Sequence, residues 1–295
     1  MRNISVIGSG TMGNGIAHVF AQFGFDVTLI DTSEEALKKG MAAIEKNLAR
    51  QVEKGSIDEA TRSTALKKLS SSTTPESVST ADLVIEAATE NIELKLKIFQ
   101  NLDTYSPKHA ILATNTSSIS ITRIAAATAR PSQVIGMHFM NPVPLMKLVE
   151  VIRGYQTSDD TMTKVLELSR KLGKIPVEVN DYPGFIANRI LMPMINEAIC
   201  SLHEGVAGVE EIDTVMKLGM AHPMGPLQLA DFIGLDVCLS ILRVMYDGFG
   251  NPKYAPCPLL VNMVQAGNKG VKSGAGFYKY TAGRKDLVVA DRFKK

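Results

Sequence analysis

Three glycines in the stretch GSGTMG, at Gly8, Gly10 and Gly13, have the spacing of a phosphate-binding turn. They directly follow the apolar run NISVI and precede a helical pattern. The pattern G-x-G-x-x-G in that context is typical of a strand–turn–helix unit that holds a dinucleotide pyrophosphate on the helix N-terminus. The alternative interpretation is that these glycines serve only the packing of a strand against a helix.

A carboxylate, Asp31, follows this turn at the end of a second apolar run, FDVTLID (25–31). A carboxylate at about 20 residues from the glycines accepts hydrogen bonds from the ribose hydroxyls of a dinucleotide. It also repels a 2′-phosphate, so Asp31 favours NAD over NADP. The alternative is that Asp31 caps a helix beginning in TSEEA.

An imidazole and a carboxylate fall on two successive predicted strands, His138 in VIGMHFMNP and Glu150 in LMKLVEVI. Histidine titrates near neutral pH, and a neighbouring carboxylate fixes its tautomer and stabilises its protonated form. The two residue types together fit general base catalysis. A histidine on an apolar strand is also found simply as a hydrogen-bonded core residue.

Hydroxyl and amide side chains cluster in ATNTSSIS (113–120), just past a predicted strand. In open α/β sheets the carboxyl ends of the strands form the ligand crevice. Alternatively, Ser118 or Ser120 caps a helix that begins near Ile121. Asn188, one turn into the helix after YPGF, carries no distinguishing signal by itself.

The elements that must position these residues begin with a β-α-β unit. A strand at 3–8, a helix over Met12–Phe23 and a strand at 25–31 follow from the apolar spacing. Ser33 then caps a long charged helix through Lys54, and Gly55 ends it. The pattern SIDE, with Ser56 followed by Glu59, predicts a capping box that opens a second helix to about residue 69.

Further strands are predicted at 69–73, 81–87, 110–115, 133–140, 147–154 and 176–180, with helices at 91–102 and 159–172. After Pro183 the chain becomes helical and rich in methionine, starting with a helix over 185–205 that contains Pro193. The prediction is an α/β Rossmann-type dinucleotide-binding domain (1–183) with an inserted helical hairpin. An all-helical C-terminal domain (184–295) follows it.

Composition restricts the class of protein further. The net charge is +2 over 295 residues, which gives no reason to expect nucleic acid or a membrane surface as a partner. The three cysteines, Cys200, Cys238 and Cys257, are odd in number and widely spaced, so neither a disulfide framework nor a metal site is expected. No signal peptide and no apolar run of about 18 residues is recognisable, so the cytoplasm is the expected location.

Seven motifs in order along the chain resemble those of the 3-hydroxyacyl-CoA dehydrogenases, most closely the bacterial 3-hydroxybutyryl-CoA dehydrogenases. They are GSGTMGNGIA, ADLVIEAATENIELK, NTSSISI, GMHFMNPVPLMKLVE, DYPGFIANRIL, AHPMGPLQLADFIGLD and GAGFY. The resemblance implies NAD-dependent oxidation of an (S)-3-hydroxyacyl-CoA, such as 3-hydroxybutyryl-CoA, to the 3-ketoacyl-CoA, and the reverse reduction. It places the enzyme in fatty acid beta-oxidation or butanoate metabolism.

The resemblance also assigns roles to individual residues. It implies that His138 is the catalytic base, Glu150 its partner, and Ser117 and Asn188 the hydrogen-bonding groups that also contact the substrate. It implies basic contacts to the coenzyme A phosphates from Arg50, where relatives often carry lysine, and from Lys54. The cofactor-binding residues that it implies are Gly8, Gly10, Thr11, Met12, Gly13, Asp31, Glu90, Lys95, Asn115, Ser117, Asn141 and Lys272.

The resemblance further implies a homodimer formed through the C-terminal domain. Independently, residues from 184 onward include more apolar side chains than a small helical unit is expected to bury: Leu191, Met192, Met194, Ile195, Leu227, Leu229, Phe232 and Ile233. For the hairpin, the alternative to a coenzyme A site is an ordinary solvated helix face.

Three other functions are weighed against this pattern. A dehydrogenase of the same fold could act on a free hydroxy acid or sugar acid, and it would be indifferent to coenzyme A. A 6-phosphogluconate-like enzyme fits less well, because it would use a lysine base in place of His138. A non-catalytic NAD-binding protein would have no need of the set Ser117, His138, Glu150 and Asn188.

Overall fold

A computed structural model describes residues 1–281 and 287–294 of the chain. The chain divides into two compact units, Met1–Tyr182 and Pro183–Lys295. Among the described residues, no helix combines the length and the apolar character needed to cross a membrane.

The first unit is built on an eight-stranded sheet with the order β3-β2-β1-β4-β5-β6-β7-β8. The three central strands β4, β5 and β6 are buried along their whole length, as expected where helices cover both faces of a parallel sheet. The strands are β1 (Asn3–Ile7), β2 (Asp26–Ile30), β3 (Leu69–Ser72), β4 (Leu83–Glu86), β5 (Ile111–Thr114), β6 (Val134–Phe139), β7 (Leu148–Arg153) and β8 (Ile175–Asn180).

The direction of the chain reverses once in this sheet. Strands β1 to β6 are mutually parallel, β7 pairs with β6 in the antiparallel sense, and β8 is parallel to β7. The last two strands therefore run opposite to the first six. The Rossmann-type fold predicted from the sequence is confirmed, with this reversal at the β6–β7 connection.

Six helices accompany the sheet: α1 (Thr11–Gln22), α2 (Glu34–Glu53), α3 (Glu59–Lys67), α4 (Ile92–Tyr105), α5 (Ile121–Ala125) and α6 (Asp159–Lys171). Ser33 caps α2 as predicted, since its hydroxyl accepts the Ala36 N–H at 3.2 Å. The capping box predicted at Ser56 is wrong. The Ser56 N–H instead bonds back to the carbonyl of Gln51 at 2.9 Å, and Asp58 caps α3 by accepting the Thr61 N–H at 2.7 Å.

The second unit is helical, as predicted, with its own apolar core. Its helices are α7 (Ala187–His203), which continues through Pro193, α8 (Val209–Thr214), α9 (Pro226–Ile233), α10 (Leu235–Phe249) and α11 (Pro258–Gln265). One π-helical turn, Val215–Gly219, follows α8. The unit also contains a short antiparallel pair that the sequence did not suggest, β9 (Tyr278–Lys279) with β10 (Val288–Val289).

A buried carboxylate, Asp231, ties the end of the second unit to α9. Its Oδ1 accepts the Phe277 N–H at 3.0 Å, and its Oδ2 accepts the Tyr278 N–H at 2.9 Å and the Tyr280 hydroxyl at 3.1 Å. Burial raises the pKa of Asp231 to about 6, although these hydrogen bonds oppose the shift. A Cβ at Gly276 would lie 1.8 Å from Asp231 Oδ1, so the glycine of GAGFY next to Phe277 leaves room for this carboxylate.

Candidate active site

The glycine turn between β1 and α1 packs closely against neighbouring backbone at Gly8 and Gly13, but not at Gly10. Gly8 has φ +94°, and a Cβ there would lie 2.6 Å from Ala88 Cα. A Cβ at Gly13 would lie 1.7 Å from the carbonyl oxygen of Gly8. By contrast, a Cβ at Gly10 would meet no described atom within 4 Å. The turn thus presents bare backbone at Gly10.

Gly10 is also the N-cap residue of α1, and no side chain among the described residues caps that end of the helix. The first N–H groups of a helix and its dipole favour a negatively charged group at this end. Thr11 and Met12 begin the helix there. An uncapped helix N-terminus beside an open glycine fits the pyrophosphate of a dinucleotide.

Asp31 stands at the carboxyl end of β2, beside the glycine turn. Its Oδ2 accepts the backbone N–H and the hydroxyl of Ser9, both at 2.8 Å, and its Oδ1 accepts the Ser33 N–H at 3.1 Å. Partial burial alone would raise the pKa of Asp31, but the hydrogen bonds from Ser9 and Ser33 hold it below its ordinary value. The carboxylate is therefore charged at neutral pH.

A cavity of about 530 Å³ opens next to Asp31. Its wall is largely apolar and includes Ile30, Leu94, Ile98 and Leu102. Ligand pockets in proteins are commonly concave and mostly apolar, with a few polar groups that fix orientation. The combination of an apolar wall and the Asp31 carboxylate suits a base and its ribose.

The loop that follows β5 carries Ser117 and is held by two acceptors. Glu90 accepts the Thr116 hydroxyl on Oε2 and the Ser117 N–H on Oε1, both at 2.7 Å. Asn115 Oδ1 accepts the Phe139 N–H at 2.9 Å, which ties the loop to the residue after His138. The structure thus brings two predicted cofactor residues, Glu90 and Ser117, into direct hydrogen-bond contact, with Asn115 earlier on the same loop.

Lys95 occupies a different environment from these residues. It is 1% exposed, and its ammonium group is paired with Glu86, which is fully buried. The Thr114 hydroxyl donates to the same Glu86 Oε2 at 2.8 Å. A buried charge is stable only with a partner of opposite charge, and Lys95 is that partner for Glu86. Its contact with NAD stays a prediction.

His138 and Glu150 face each other across the β6–β7 ladder. They are directly paired in its antiparallel register, and His138 Nδ1 donates to Glu150 Oε2 at 2.7 Å. Both residues are buried, Glu150 completely. Because an ionised carboxylate can only accept, Nδ1 is assigned as the donor in this bond. A positioned imidazole oriented by a carboxylate is the arrangement of a general base.

Sequence reasoning missed one residue of this region, Asp181, at the end of β8. Its carboxylate accepts the Ser120 hydroxyl at 2.8 Å and the first N–H groups of α5. Ser120 in turn caps α5 by accepting the Arg123 N–H at 3.2 Å, so of the two serines considered as caps it is Ser120 that caps the helix. No signal in the sequence connects residues 61 positions apart.

Each of the remaining predicted residues is placed here only within its own unit. Arg50 and Lys54 are exposed in the last turn of α2, and Asn141 is exposed after β6. In the second unit Asn188 is buried in the first turn of α7, and Lys272 Nζ pairs with Asp236 at 2.5 Å. The roles of these residues toward ligands stay predictions.

Comparison with known proteins identifies two domain models that together span most of the chain. Residues 3–182 match the 3-hydroxyacyl-CoA dehydrogenase NAD-binding domain, and residues 184–280 match the 3-hydroxyacyl-CoA dehydrogenase C-terminal domain.

Individual relatives agree with these matches over nearly their whole length. The chain is 55% identical to the 3-hydroxybutyryl-CoA dehydrogenase of Bradyrhizobium diazoefficiens, over 95% of this chain and 96% of that protein. It is 52% identical to the enzyme of the same name from Clostridioides difficile, over 94% of this chain and 99% of that protein. The crystal structure of (S)-3-hydroxybutyryl-CoA dehydrogenase from Ralstonia eutropha matches with a TM-score of 0.93 at 50% identity, covering 95% of this chain and 99% of that one.

Proposed function

Because the chain belongs to the 3-hydroxyacyl-CoA dehydrogenase family, we propose that it interconverts (S)-3-hydroxybutyryl-CoA and acetoacetyl-CoA. It is an NAD-dependent oxidoreductase of 3-hydroxyacyl-CoA, with an NAD-binding domain over residues 3–182. The observation that carries the mechanism is the buried hydrogen bond between His138 and Glu150. We assign the enzyme to fatty acid beta-oxidation or butanoate metabolism in the cytoplasm, in keeping with its free cysteines.

His138 accepts the proton of the 3-hydroxyl group and returns it in the reverse reaction. NAD⁺, when bound, would accept the hydride that leaves C3. As the C3–H bond breaks, Nε2 of His138 takes the proton of the 3-hydroxyl group, and Glu150 stabilises the imidazolium that forms. In the reverse direction the imidazolium returns the proton to the alkoxide. A carboxylate in hydrogen-bond contact is the group that best stabilises this charge in a buried place.

Ser117 and Asn188 orient the substrate in this proposal. A hydroxyl and an amide can each donate a hydrogen bond to an oxygen, and the negative charge that develops on the 3-oxygen makes such bonds stronger. The fixed backbone of the Ser117 loop supports this role for Ser117, since Glu90 holds its N–H at 2.7 Å. Asn188 comes from the first turn of α7 in the second unit.

The thioester substrate carries coenzyme A, and we propose that Arg50 and Lys54 bind the coenzyme A phosphates. Both side chains are exposed, cationic and one turn apart at the end of α2, where the Lys54 N–H bonds to the Arg50 carbonyl. Cations near the C-terminal end of a helix are also favoured by the helix dipole. This site gives the inserted hairpin a function in binding.

We also propose a homodimer formed through the second unit, which would leave residues 1–183 as the NAD-binding domain and 184–295 as the substrate and dimerisation domain. Of the apolar side chains singled out from the sequence, Met192, Ile195 and Leu227 lie in the unit's own core. Phe232, however, is 61% exposed and Leu218 is 82% exposed. Exposed apolar side chains of this size, when contiguous, mark an interface.

One assay separates this function from its rivals. Acetoacetyl-CoA and free acetoacetate are compared as substrates under NADH, and NADH consumption is followed by absorbance. We expect turnover of the thioester and very little of the free acid. Equal rates on both would favour a dehydrogenase of free hydroxy acids, and no turnover of either would favour a non-catalytic NAD-binding protein.

A further inference from the structure

Asp181 lies at the end of β8 and makes a dense set of hydrogen bonds to the start of α5. Its Oδ2 accepts the Ser120 hydroxyl at 2.8 Å and the Thr122 N–H at 2.8 Å. Its Oδ1 accepts the Ile121 N–H at 3.1 Å. Three donors on one carboxylate fix the position of residues 120–122 relative to the end of β8.

The backbone of Asp181 is fixed to a different element. Its N–H donates to the carbonyl of Arg153 at 3.0 Å, which extends the β7–β8 pairing by one residue. Arg153 is the last residue of β7, the strand that also contains Glu150. Asp181 therefore connects the strand of the His138–Glu150 pair to the segment that follows the Ser117 loop.

Other hydrogen bonds hold the N-terminal side of the Ser117 loop. Asn115 accepts from Phe139 on β6, and Glu90 accepts from Thr116 and Ser117. On the C-terminal side the side chain of Ser120 donates to Asp181 while it accepts from Arg123. The segment that carries Ser117 is thus held by Glu90 near its start and by Asp181 near its end.

We propose that Asp181 is a positioning residue for catalysis, which sets the place of Ser117 relative to His138 and Glu150. The proposal rests on the proposed function only in its assignment of a catalytic role to Ser117. A carboxylate suits the task because its two oxygens accept from three donors at once, whereas an amide has one accepting oxygen. Loss of one acceptor leaves the N-terminal end of α5 less firmly held.

The first test is Asp181→Asn, which keeps the shape of the side chain. We expect kcat for acetoacetyl-CoA reduction to fall about ten- to a hundred-fold, since small displacements of catalytic groups cost that much. The KM for NADH should change less than kcat does, because the glycine turn and Asp31 follow β1 and β2 and Ser117 is only one of the predicted cofactor contacts. A purely structural role would lower thermal stability without this split between kcat and KM.

Asp103 supplies the matched control. Its carboxylate also binds a backbone N–H and a side chain in the first unit, Ala129 N and Arg130 Nε, each at 2.6 Å. Asp103→Asn should lower the melting temperature while kcat stays at the wild-type value. A second variant, Ser120→Ala, removes one donor to Asp181 and should also lower kcat. In the double variant the fold-loss of kcat should be smaller than the product of the two single losses.

Amide hydrogen exchange gives a readout that is independent of turnover. Exchange in the peptide covering residues 116–122 should be faster in Asp181→Asn than in the wild type and unchanged in Asp103→Asn. Wild-type turnover tests the proposed function, and the exchange difference tests the inference even if that turnover is absent. Unchanged exchange over 116–122, a wild-type kcat in Asp181→Asn, or an equal loss of kcat in Asp103→Asn would each overturn the proposal.

Discussion

At the scale of single residues, the His138–Glu150 hydrogen bond makes the clearest prediction. Replacing His138 by Gln should lower kcat by about 10²–10⁴-fold, the usual contribution of general acid–base catalysis. NADH affinity, measured by fluorescence titration, should change little, because the glycine turn lies on another strand of the sheet. A His138→Gln variant that keeps full activity would exclude this histidine as the base.

Glu150→Gln is the companion variant, since it keeps the shape and removes the charge. Its kcat should fall less than that of His138→Gln. The imidazole keeps its place on β6 but loses the charge that stabilises its protonated form, so steady-state kinetics should show a partial loss of kcat, and an unchanged kcat would argue against a role for Glu150.

We expect Asp31 to decide the choice between NADH and NADPH. Its carboxylate is held in the charged form beside the glycine turn by the hydrogen bonds from Ser9 and Ser33. We expect the wild type to prefer NADH, and Asp31→Ala to weaken binding of NADH more than that of NADPH. Steady-state kinetics with both cofactors checks this, and a wild type that uses NADPH equally well would contradict it.

Residue types and spacing predicted a set of candidate site residues, but not what each one bonds to. Both oxygens of Glu90 accept from the Ser117 loop, and the ammonium of Lys95 is paired with buried Glu86. These partners come together only when separate strand ends meet at one edge of the sheet. Asp181 was missed for a different reason: β8 runs opposite to β5 and lies three places from it in the sheet order, so only the folded chain brings Asp181 to the residues that follow β5.

At the scale of elements, the end of α2 is predicted to hold the phosphates of coenzyme A. A charge-assisted hydrogen bond contributes about 1.5–3 kcal/mol when shielded and less when exposed. Arg50→Ala combined with Lys54→Ala should therefore raise the KM for acetoacetyl-CoA about ten-fold, with a smaller effect at high salt. Acetoacetyl-pantetheine, which lacks the phosphates, should show no such increase.

The same helix provides the control for this variant. Lys39→Ala combined with Lys46→Ala removes the same charge from exposed positions of α2 and should leave both KM values unchanged. If it raises the KM as much as the Arg50 and Lys54 variant does, the effect is one of general charge and not of a site.

Element boundaries were predictable where a local signal decided them. Ser33 caps α2 through a contact three residues away, and α1, β1 and β2 lie within a residue or two of the positions predicted from apolar spacing. Asp58 and Ser56 cap helices about equally well, so sequence could not choose between them. In the structure the Ser56 N–H donates to the Gln51 carbonyl near the end of α2, so it is not available for a capping box. The reversal at β7 depends on which strand edge was available, which local patterns do not encode.

At the scale of the whole molecule, burial of Asp231 predicts how stability depends on pH. Its pKa in the folded protein is about 6, above the ordinary 3.8, so the folded state binds this proton more tightly than the unfolded state does. The contribution to the free energy of unfolding is present below about pH 4 and is lost as pH rises to about 6, by up to about 3 kcal/mol.

The carboxyl groups with lowered pKa values, such as Asp31 and Asp103, act in the opposite direction. The prediction is therefore read from urea unfolding of wild type and Asp231→Asn over that pH range. The stability difference between them should shift in favour of the variant as pH rises. A difference independent of pH would show that Asp231 does not titrate in this range.

The proposed dimer is a further prediction for the whole molecule. The exposed Phe232 and Leu218 belong to the second unit, so association should depend on that unit. Light scattering at micromolar protein should give twice the monomer mass, and Leu218→Glu with Phe232→Glu should shift the equilibrium toward monomer. A monomer mass for the wild type would rule the dimer out.

The antiparallel pairing of β6 and β7 also restricts how this chain can vary in length. Side chains of a strand alternate between the two faces of a sheet, so a slip of one residue would place Glu150 on the opposite face from His138. We therefore expect the connection at 140–147 to keep a fixed number of residues, although its residue types can change. We expect insertions and deletions among active relatives to fall outside this segment, and an active relative with one residue more or fewer there would contradict that expectation.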